Sequence, residues 1–238
     1  MRSPYGFNLN ESRQSCKARV GGFFCQLPPA ALKDFDATKS SAAYPAGAVL
    51  FLEKQEPRGV LLLCAGEVKL SISSSEGKIL ILRIAKPGEI LGLMSTLTGT
   101  PYEVTAEVLH PCQVAFVRRD DFLRFVAKHP QIYQNVVKEL SSYYQAACEQ
   151  LRTVGLASSA NERLARLLLD WSAGETETRQ GTQITLPLTH KEIAAFIGLS
   201  RETVTRTLSK FRNRRLVALR GSTLMIANRA ALESFVSV

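Results

Sequence analysis

Several features common in other protein classes are scarce or absent in this chain of 238 residues. No apolar run approaches the ~20 residues that a helix needs to cross a bilayer, so we expect no membrane span. Residues 1–6 lack the apolar core of a signal peptide, which predicts a cytoplasmic protein. The chain has five cysteines. An odd number in a reducing compartment argues against a disulfide framework.

The motifs of common enzymes are also missing. The chain has three histidines, His110, His129 and His190, which are widely spaced, whereas a metal-dependent barrel enzyme needs several histidine or carboxylate ligands close together. Neither a nucleophile elbow nor a phosphate-binding P-loop pattern occurs. We therefore predict that the protein is not an enzyme.

The most informative segment, 188–208, predicts two short helices joined by a tight turn. Thr189 and Glu192 have the spacing of a capping box, and Gly198 follows the last apolar residue of the first helix. Ser200 is a suitable N-cap for the second helix. The positions of that helix that should point inward are Val204, Leu208 and Phe211. Such a helix pair places its second helix in the major groove of DNA.

The outward positions of the second helix carry groups suited to nucleic acid. An Arg fork fits O6 and N7 of guanine and a Glu accepts from the cytosine amino group, so base contacts are expected from Arg201, Glu202 and Arg206. The side chains better suited to phosphates are Thr203, Thr205, Lys210 and Arg212. Seven basic residues and one acidic residue lie between residues 200 and 220, in a chain of net charge +9. A solvated, salt-bridged helix face is the alternative, but the caps, the turn and the basic run all favour DNA binding.

The rest of the chain predicts an α+β protein. Alternating patterns from about residue 44 to 118 indicate an antiparallel β-roll or barrel. Ser159 and Glu162 have capping-box spacing at the start of a further helix, and residues 217–220 and 223–226 predict a hairpin wing turned by Gly221 and Ser222. We predict four segments: an N-terminal cysteine-containing segment (1–27), a β-roll sensor domain (28–120), a dimerisation helix (121–155) and a winged helix-turn-helix DNA-binding domain (156–238).

Apolar residues recur at steps of three and four along the predicted long helix. They are Val136, Leu140, Tyr143, Ala147, Leu151 and Val154. A narrow stripe with a period near 3.5 is typical of helices that pair in a coiled coil. Packing on the β-domain is the alternative, but pairing with a second copy is favoured because a two-fold dimer suits a palindromic DNA site.

A β-roll, a long helix and a winged helix-turn-helix, in that order, resemble the CRP/FNR family of bacterial transcription regulators over roughly residues 25–230. The most specific match is Leu199–Arg206, which has the S-R-E-T-V-x-R form of that family's recognition helix. Thr207 departs from the apolar residue usual there. The resemblance implies a homodimer that binds double-stranded DNA at a palindromic TGTGA-like site through Arg201, Glu202 and Arg206. It also implies RNA polymerase as a partner and a signal received by the roll.

The segment K-P-G-E-I-L-G-L-M at residues 86–94 is similar to the family's P-G-E-x-x-G-E. Leu93 stands where cyclic-nucleotide binders hold the ribose with a Glu, and Val104 where an Arg clamps the phosphate. Burying a phosphate without its guanidinium is costly, so we expect no binding of cyclic AMP in the usual way, and no motif names another effector. The candidate effector pocket comprises Gly88, Glu89, Gly92, Leu93, Val104 and Thr105.

The FNR branch holds an oxygen-sensitive iron–sulfur cluster on four cysteines. The resemblance places Cys16, Cys25 and Cys112 at three of those positions and Arg19 at the fourth. Three interpretations stay open: a cysteine framework without a cluster, a thiol-based redox sensor, and a cluster or metal site completed by another ligand. Cys64 and Cys148 are predicted to be buried as small hydrophobic side chains. A non-sensing, architectural DNA-binding protein is the alternative from another class.

Overall fold

The structure is a computed structural model, and it describes residues 4–7, 27–173, 177–178, 181–185, 188–220 and 223–236. The chain divides into two compact units. The first unit comprises Met1–Gly77 and Leu82–Ala146, and the second comprises Lys78–Ile81 and Ala147–Val238. The functional division predicted at residues 27, 120 and 155 stays a prediction.

The first unit is built on an antiparallel sheet, as predicted. Its strands are β1 (Ser40–Tyr44), β2 (Val49–Phe51), β3 (Gly59–Ser73), β4 (Ile79–Ala85), β5 (Ile90–Leu91) and β6 (Thr105–Arg118), and the first residues of β4, up to Ile81, are assigned to the second unit. The order is β1-β6-β3-β4, while β2 pairs with β6 and β5 with β3. The long pair β3 and β6 runs in register from Gly59 opposite Arg118 to Ser71 opposite Thr105, with irregularities around residues 63–68.

Alternating residues of β3 divide the core of the first unit into two clusters. Val60 and Leu62 pack on one face of the strand, and Leu61 and Leu63 pack on the other, because successive side chains of a strand point to opposite faces. The first cluster is covered by helices, so we call it the helix-side cluster; the second is the interior cluster of the roll. The helices of this unit are α1 (Pro29–Thr38), α2 (Leu93–Thr98), α3 (Arg119–Lys128) and α4 (Ile132–Leu151), whose residues from Ala147 on belong to the second unit.

Helix α4 carries two adjacent apolar stripes rather than one. Ile132, Val136 and Tyr143 face the roll and pack in or against the helix-side cluster. The second stripe is shifted by one residue, is largely exposed, and comprises Tyr133, Val137, Leu140, Tyr144, Ala147 and Leu151. We call it the exposed stripe. The predicted single stripe was therefore wrong at Val136 and Tyr143, which belong to the roll-facing stripe, and at Val154, which lies in the π-helical turn Arg152–Leu156 beyond α4.

Among its described residues, the second unit has four α-helices after the π-helical turn Arg152–Leu156, and a four-stranded sheet. The helices are α5 (Ala160–Trp171), α6 (His190–Ile197), α7 (Arg201–Asn213) and α8 (Arg229–Glu233). The strands are β7 (Glu177–Thr178), β8 (Gly181–Thr185), β9 (Val217–Arg220) and β10 (Thr223–Ile226), in the order β7-β8-β10-β9. The two wing strands have the predicted bounds, and the predicted turn at Gly221 and Ser222 lies outside the described residues. Strands β7 and β8 had no sequence prediction.

The start of α5 differs in one detail from the predicted capping box. The Ser159 hydroxyl accepts a hydrogen bond from the Glu162 backbone N–H at 3.1 Å, as expected. The Glu162 carboxylate, however, accepts from the backbone N–H and the hydroxyl of Ser158, at 2.8 and 3.0 Å. The Ser159 hydroxyl therefore caps the helix as predicted, but the Glu162 carboxylate binds Ser158 instead of the Ser159 backbone N–H.

Candidate DNA-binding surface

The helix α6 and the turn after it have the predicted caps. Thr189 and Glu192 form a capping box: the Thr189 hydroxyl accepts from the Glu192 N–H, and the Glu192 carboxylate accepts from the Thr189 N–H. Gly198 ends the helix with φ 67° and ψ 36°, a left-handed conformation that glycine adopts without steric cost. The Leu199 N–H then donates to the Ala194 carbonyl at 2.9 Å, which closes the turn.

Helix α7 begins at the predicted cap and buries the predicted face. The Ser200 hydroxyl accepts from the Thr203 N–H at 3.2 Å. The buried side chains of the helix are Val204, Thr207, Leu208 and Phe211. Thr207 therefore fills the apolar position of the family pattern, where only 5 % of it is exposed. Burial of this face leaves the opposite face of α7 at the surface.

The exposed face of α7 carries the residues predicted to contact DNA. Those that are exposed are Arg201, Glu202, Thr205, Arg206, Lys210 and Arg212, and Thr203 is half-buried. Hydrogen bonds from its own backbone N–H and from the Ser200 side chain hold the pKa of Glu202 below its usual range. Its carboxylate is therefore ionised at neutral pH, as an acceptor for a base amino group must be.

Two of the threonines have hydroxyls that already contact protein groups. The Thr203 and Ser200 hydroxyls are 3.1 Å apart. The Thr205 hydroxyl donates to the Arg201 carbonyl at 3.0 Å, and His190 Nδ1 lies 3.0 Å from the same hydroxyl. His190 is the first residue of α6, so this contact joins the two helices of the pair. Sequence reasoning missed it, because no local pattern relates two residues that are 15 positions apart.

Two further polar residues support the turn between α6 and α7. Arg163 of α5 donates to the carbonyls of Ile197 and Gly198, at 3.3 and 3.4 Å. Gln150, which is buried, donates to the Phe196 carbonyl. These side chains satisfy carbonyls that the end of α6 leaves without helical partners. The only feature of the sequence that could have revealed Arg163 and Gln150 is that each is a polar residue on the apolar side of an amphipathic helix.

The predicted effector pocket includes residues from both hydrophobic clusters of the first unit. Leu93 is buried in the helix-side cluster, whereas Val104 packs against the interior cluster of the roll. The Thr105 hydroxyl accepts from the Glu53 N–H at 3.0 Å. The Glu89 carboxylate accepts from the Lys86 N–H at 2.8 Å and forms an ion pair with Arg83, so it stabilises the turn that contains Gly88.

A polar cluster beside this turn had no sequence prediction. It comprises Arg83, Glu89, Glu139 and Tyr143, and we call it the α4 polar cluster. The Arg83 guanidinium lies 4.3 Å from the ring centre of Tyr143, a cation–π contact. The Tyr143 hydroxyl donates to the Ile90 carbonyl and is 2.8 Å from Glu139 Oε1. Burial is the largest influence on the two members of the cluster that α4 contributes, and it raises the pKa of Glu139 and that of Tyr143.

Of the three cysteines in the described ranges, Cys112 has the surroundings of a structural residue. Cys112 is fully buried, and burial, followed by the nearby Cys64, raises the pKa of its thiol to about 11. It is therefore protonated at neutral pH and a poor nucleophile. Cys64 and Cys148 are half-buried rather than buried. Within the described ranges, no group of three or more potential metal ligands occurs, and Cys16 and Cys25 lie outside those ranges.

Comparison with known proteins defines the class of the two units. Residues 42–129 match the model of the cyclic nucleotide-binding domain, and residues 162–235 match that of the Crp-like helix-turn-helix domain. The described helices include none long and apolar enough to cross a membrane. The combination defines a transcription regulator with a nucleotide-binding-type roll and a DNA-binding helix-turn-helix.

The chain belongs to the CRP/FNR family, whose members are transcription regulators and not enzymes. It is 28% identical, over 86% of its length and 84% of the relative's, to the transcriptional activatory protein AadR of Rhodopseudomonas palustris. It is 24% identical, over 87% of its length and 92% of the relative's, to the CRP-like cAMP-activated global transcriptional regulator of Mycobacterium tuberculosis. The structure of FixK2 from Bradyrhizobium japonicum shares the fold, with a TM-score of 0.72 at 21% identity over 84% of this chain and 98% of that one.

Proposed function

We propose that the protein is a cytoplasmic homodimer that binds a palindromic TGTGA-like site and regulates transcription there. The observation that carries this proposal is α7, where one face is buried and the opposite face exposes Arg201, Glu202 and Arg206 in its first two turns. Those three residues contact bases, and Lys210 and Arg212 contact phosphates. Thr203 and Thr205 were predicted to contact phosphates as well.

The charge of α7 adds a component that does not depend on sequence. Lys210 and Arg212, in its last turns, are exposed and basic. Neutralising phosphates with such groups releases counterions, so binding weakens steeply as the salt concentration rises. Specific and non-specific binding should share this salt dependence, and the base contacts should supply the difference between them.

The exposed stripe of α4 supports the homodimer. Tyr133, Val137, Tyr144 and Leu151 are between 53% and 73% exposed, although all four are apolar or aromatic. With Leu140 and Ala147 they recur at steps of four and three, which is the period of a two-stranded coiled coil. The occupant that such a stripe fits is the same stripe of a second copy, related by a two-fold axis.

We propose that the signal is not cyclic AMP bound in the usual way. The Mycobacterium tuberculosis relative is named as cAMP-activated. In this chain Leu93 is taken up by the helix-side cluster and Val104 offers no charge, so a phosphate would be buried without a guanidinium at that position. Calorimetric titration with cyclic AMP should show no binding at micromolar ligand, and saturable micromolar binding would contradict this point.

The redox alternative loses one of its three cysteines as a reactive group, because Cys112 is buried and protonated. Anaerobic purification with an iron assay and a visible spectrum tests the cluster, and a brown, iron-containing protein would favour it.

Partnership with RNA polymerase follows from the family and is tested by transcription in vitro from a promoter that carries the site.

The decisive experiment compares two DNA duplexes by fluorescence anisotropy at physiological salt. One contains TGTGA-N6-TCACA and the other contains the same bases in scrambled order. A regulator that reads the site binds the first at least about 1,000-fold more tightly. Equal affinity for both duplexes would instead identify a non-sensing, architectural DNA-binding protein.

A further inference from the structure

The hydrogen bonds of Thr205 fix which proton each group carries. The Arg201 carbonyl can only accept, so the Thr205 hydroxyl must donate its single proton there, over 3.0 Å. His190 Nδ1, 3.0 Å from the same oxygen, must then be the donor of the second hydrogen bond. The hydroxyl therefore has no proton left to donate: it donates once, along α7, and accepts once, from α6.

This engagement determines what Thr205 presents to its surroundings. The Cβ atom of a threonine carries one hydroxyl, one methyl group and one hydrogen, so two hydrogen bonds to the hydroxyl fix the side-chain rotamer. Thr205 is exposed and lies on α7 between Arg201 and Arg206. With its proton donated to the backbone, the hydroxyl cannot donate to a phosphate, and the methyl group is the apolar group that Thr205 offers to an external partner.

We infer that Thr205 contacts the 5-methyl group of a thymine, and that His190 is the positioning residue that keeps the threonine methyl turned toward the DNA. Thymine alone carries a methyl group in the major groove, and threonine methyls are suited to contact it. This assignment revises the expectation that Thr205 contacts a phosphate, because its hydroxyl is already engaged. The inference rests on the proposed function, in which α7 enters the major groove.

Two pairs of variants test these groups one at a time. One pair distinguishes the methyl group of Thr205 from its hydroxyl, and the other distinguishes Nδ1 of His190 from Nε2. Thr205→Ser keeps the hydroxyl and removes the methyl, whereas Thr205→Val replaces the hydroxyl by a second methyl. His190→Asn places an amide N–H near the position of Nδ1, whereas His190→Gln places it near Nε2. Only the asparagine can still donate to Thr205, so it should rescue a positioning role that glutamine does not.

The measurement is anisotropy with a duplex that the protein itself enriches from a random pool. Each thymine of the enriched site is replaced in turn by deoxyuridine, which lacks only the methyl group. For the unmodified protein, replacement at one thymine of each half-site should weaken binding about fourfold per half-site, the equivalent of one buried methyl(ene) group. Thr205→Ser should bind both forms equally, His190→Asn should keep the difference, and His190→Gln should lose it.

Valine provides an internal control for positioning. It carries methyl groups at both γ positions, so it needs no hydrogen bond to present one to the DNA. The double variant His190→Gln with Thr205→Val should therefore keep the deoxyuridine effect that His190→Gln loses alone. If His190 instead contacted the DNA directly, His190→Gln would lose the deoxyuridine effect equally with Thr205 and with Val at position 205. That result would overturn the positioning role.

The remaining outcomes separate this inference from the proposed function. An enriched site at which no thymine-to-deoxyuridine replacement changes the affinity overturns the inference and leaves base reading by α7 intact. A pool from which no sequence is enriched overturns the proposed function and the inference together.

Discussion

The charged side chains on α7 and those of the α4 polar cluster have opposite surroundings. In the second unit, Arg201, Glu202 and Arg206 are exposed on α7. In the first unit, Arg83 and Glu89 form an ion pair with each other, and their side chains are only 18% and 28% exposed. Burial also raises the pKa of Glu139 beside them. The first arrangement leaves charge available to a partner. The second satisfies charge within the protein and attaches α4 to the roll.

A sequence motif does not show whether its charged residues contact a partner or stabilise the fold, and the surroundings of the side chains do. The segment 86–94 resembles a ligand site of the family, and within the protein Glu89 stabilises its turn and Leu93 packs in the core. The segment 199–206 looks like a DNA-contacting helix, and its charged residues are free of the core. The following predictions test whether the two units are used as differently as their surroundings indicate.

The largest effect should come from a charge on the exposed stripe. Tyr144→Glu places a carboxylate on a surface that is 73% exposed in one chain but buried if two copies pair. We expect a monomer by analytical ultracentrifugation and a loss of DNA affinity of about 100-fold or more, because two linked half-site contacts become one. Ser142→Glu, also exposed on α4 but outside the stripe, is the control and should leave both properties unchanged.

The next effect is a loss of specificity on α7. Arg201→Ala removes a forked donor and should lower the ratio of affinities for the TGTGA site and the scrambled duplex about 10- to 100-fold. Lys210→Ala should lower both affinities together and leave the ratio unchanged, because a phosphate contact carries no sequence information. A ratio that Arg201→Ala leaves unchanged would contradict the proposed base contact.

A smaller effect is expected at the turn between α6 and α7. Gly198→Ala meets no atom closer than 3.4 Å, so its cost is the left-handed backbone, about 1–2 kcal/mol of unfolding free energy. Gly198→Asn should cost less, since asparagine tolerates this conformation better. Urea unfolding followed by fluorescence measures both, because Trp171 is the only tryptophan and lies in the second unit. Equal costs for the two variants would point to packing instead.

The smallest effect concerns the α4 polar cluster. A pKa of Glu139 raised above 4.5 means that the folded state binds the proton more tightly than the unfolded state. Stability should therefore fall as the pH rises from about 4.5 through the raised pKa. Glu139→Gln cannot ionise and should flatten that fall, measured as the midpoint of thermal unfolding of the first unit between pH 4 and 8. Parallel profiles for the two proteins would show that Glu139 does not titrate in that window.

The parts of the fold that local patterns determine could be predicted from the sequence. The caps at Thr189 and Ser200, the turn at Gly198 and the buried face of α7 all depend on residues a few positions apart. The exposed stripe could not be placed, because two apolar stripes one residue apart on α4 share one period. Contacts such as Gln150 with Phe196, or Arg83 with Tyr143, depend on how distant segments pack, which no spacing in the sequence reveals.

Leu140 gives the two stripes of α4 a shared member. It belongs to the exposed stripe by position, and it also packs against the helix-side cluster. If a second copy covers the exposed stripe, the same side chain is held from both sides, so association and folding of the roll are linked by mass action. The melting temperature of the first unit should then rise with the total protein concentration, and the cellular abundance of the regulator would itself influence the stability of its roll.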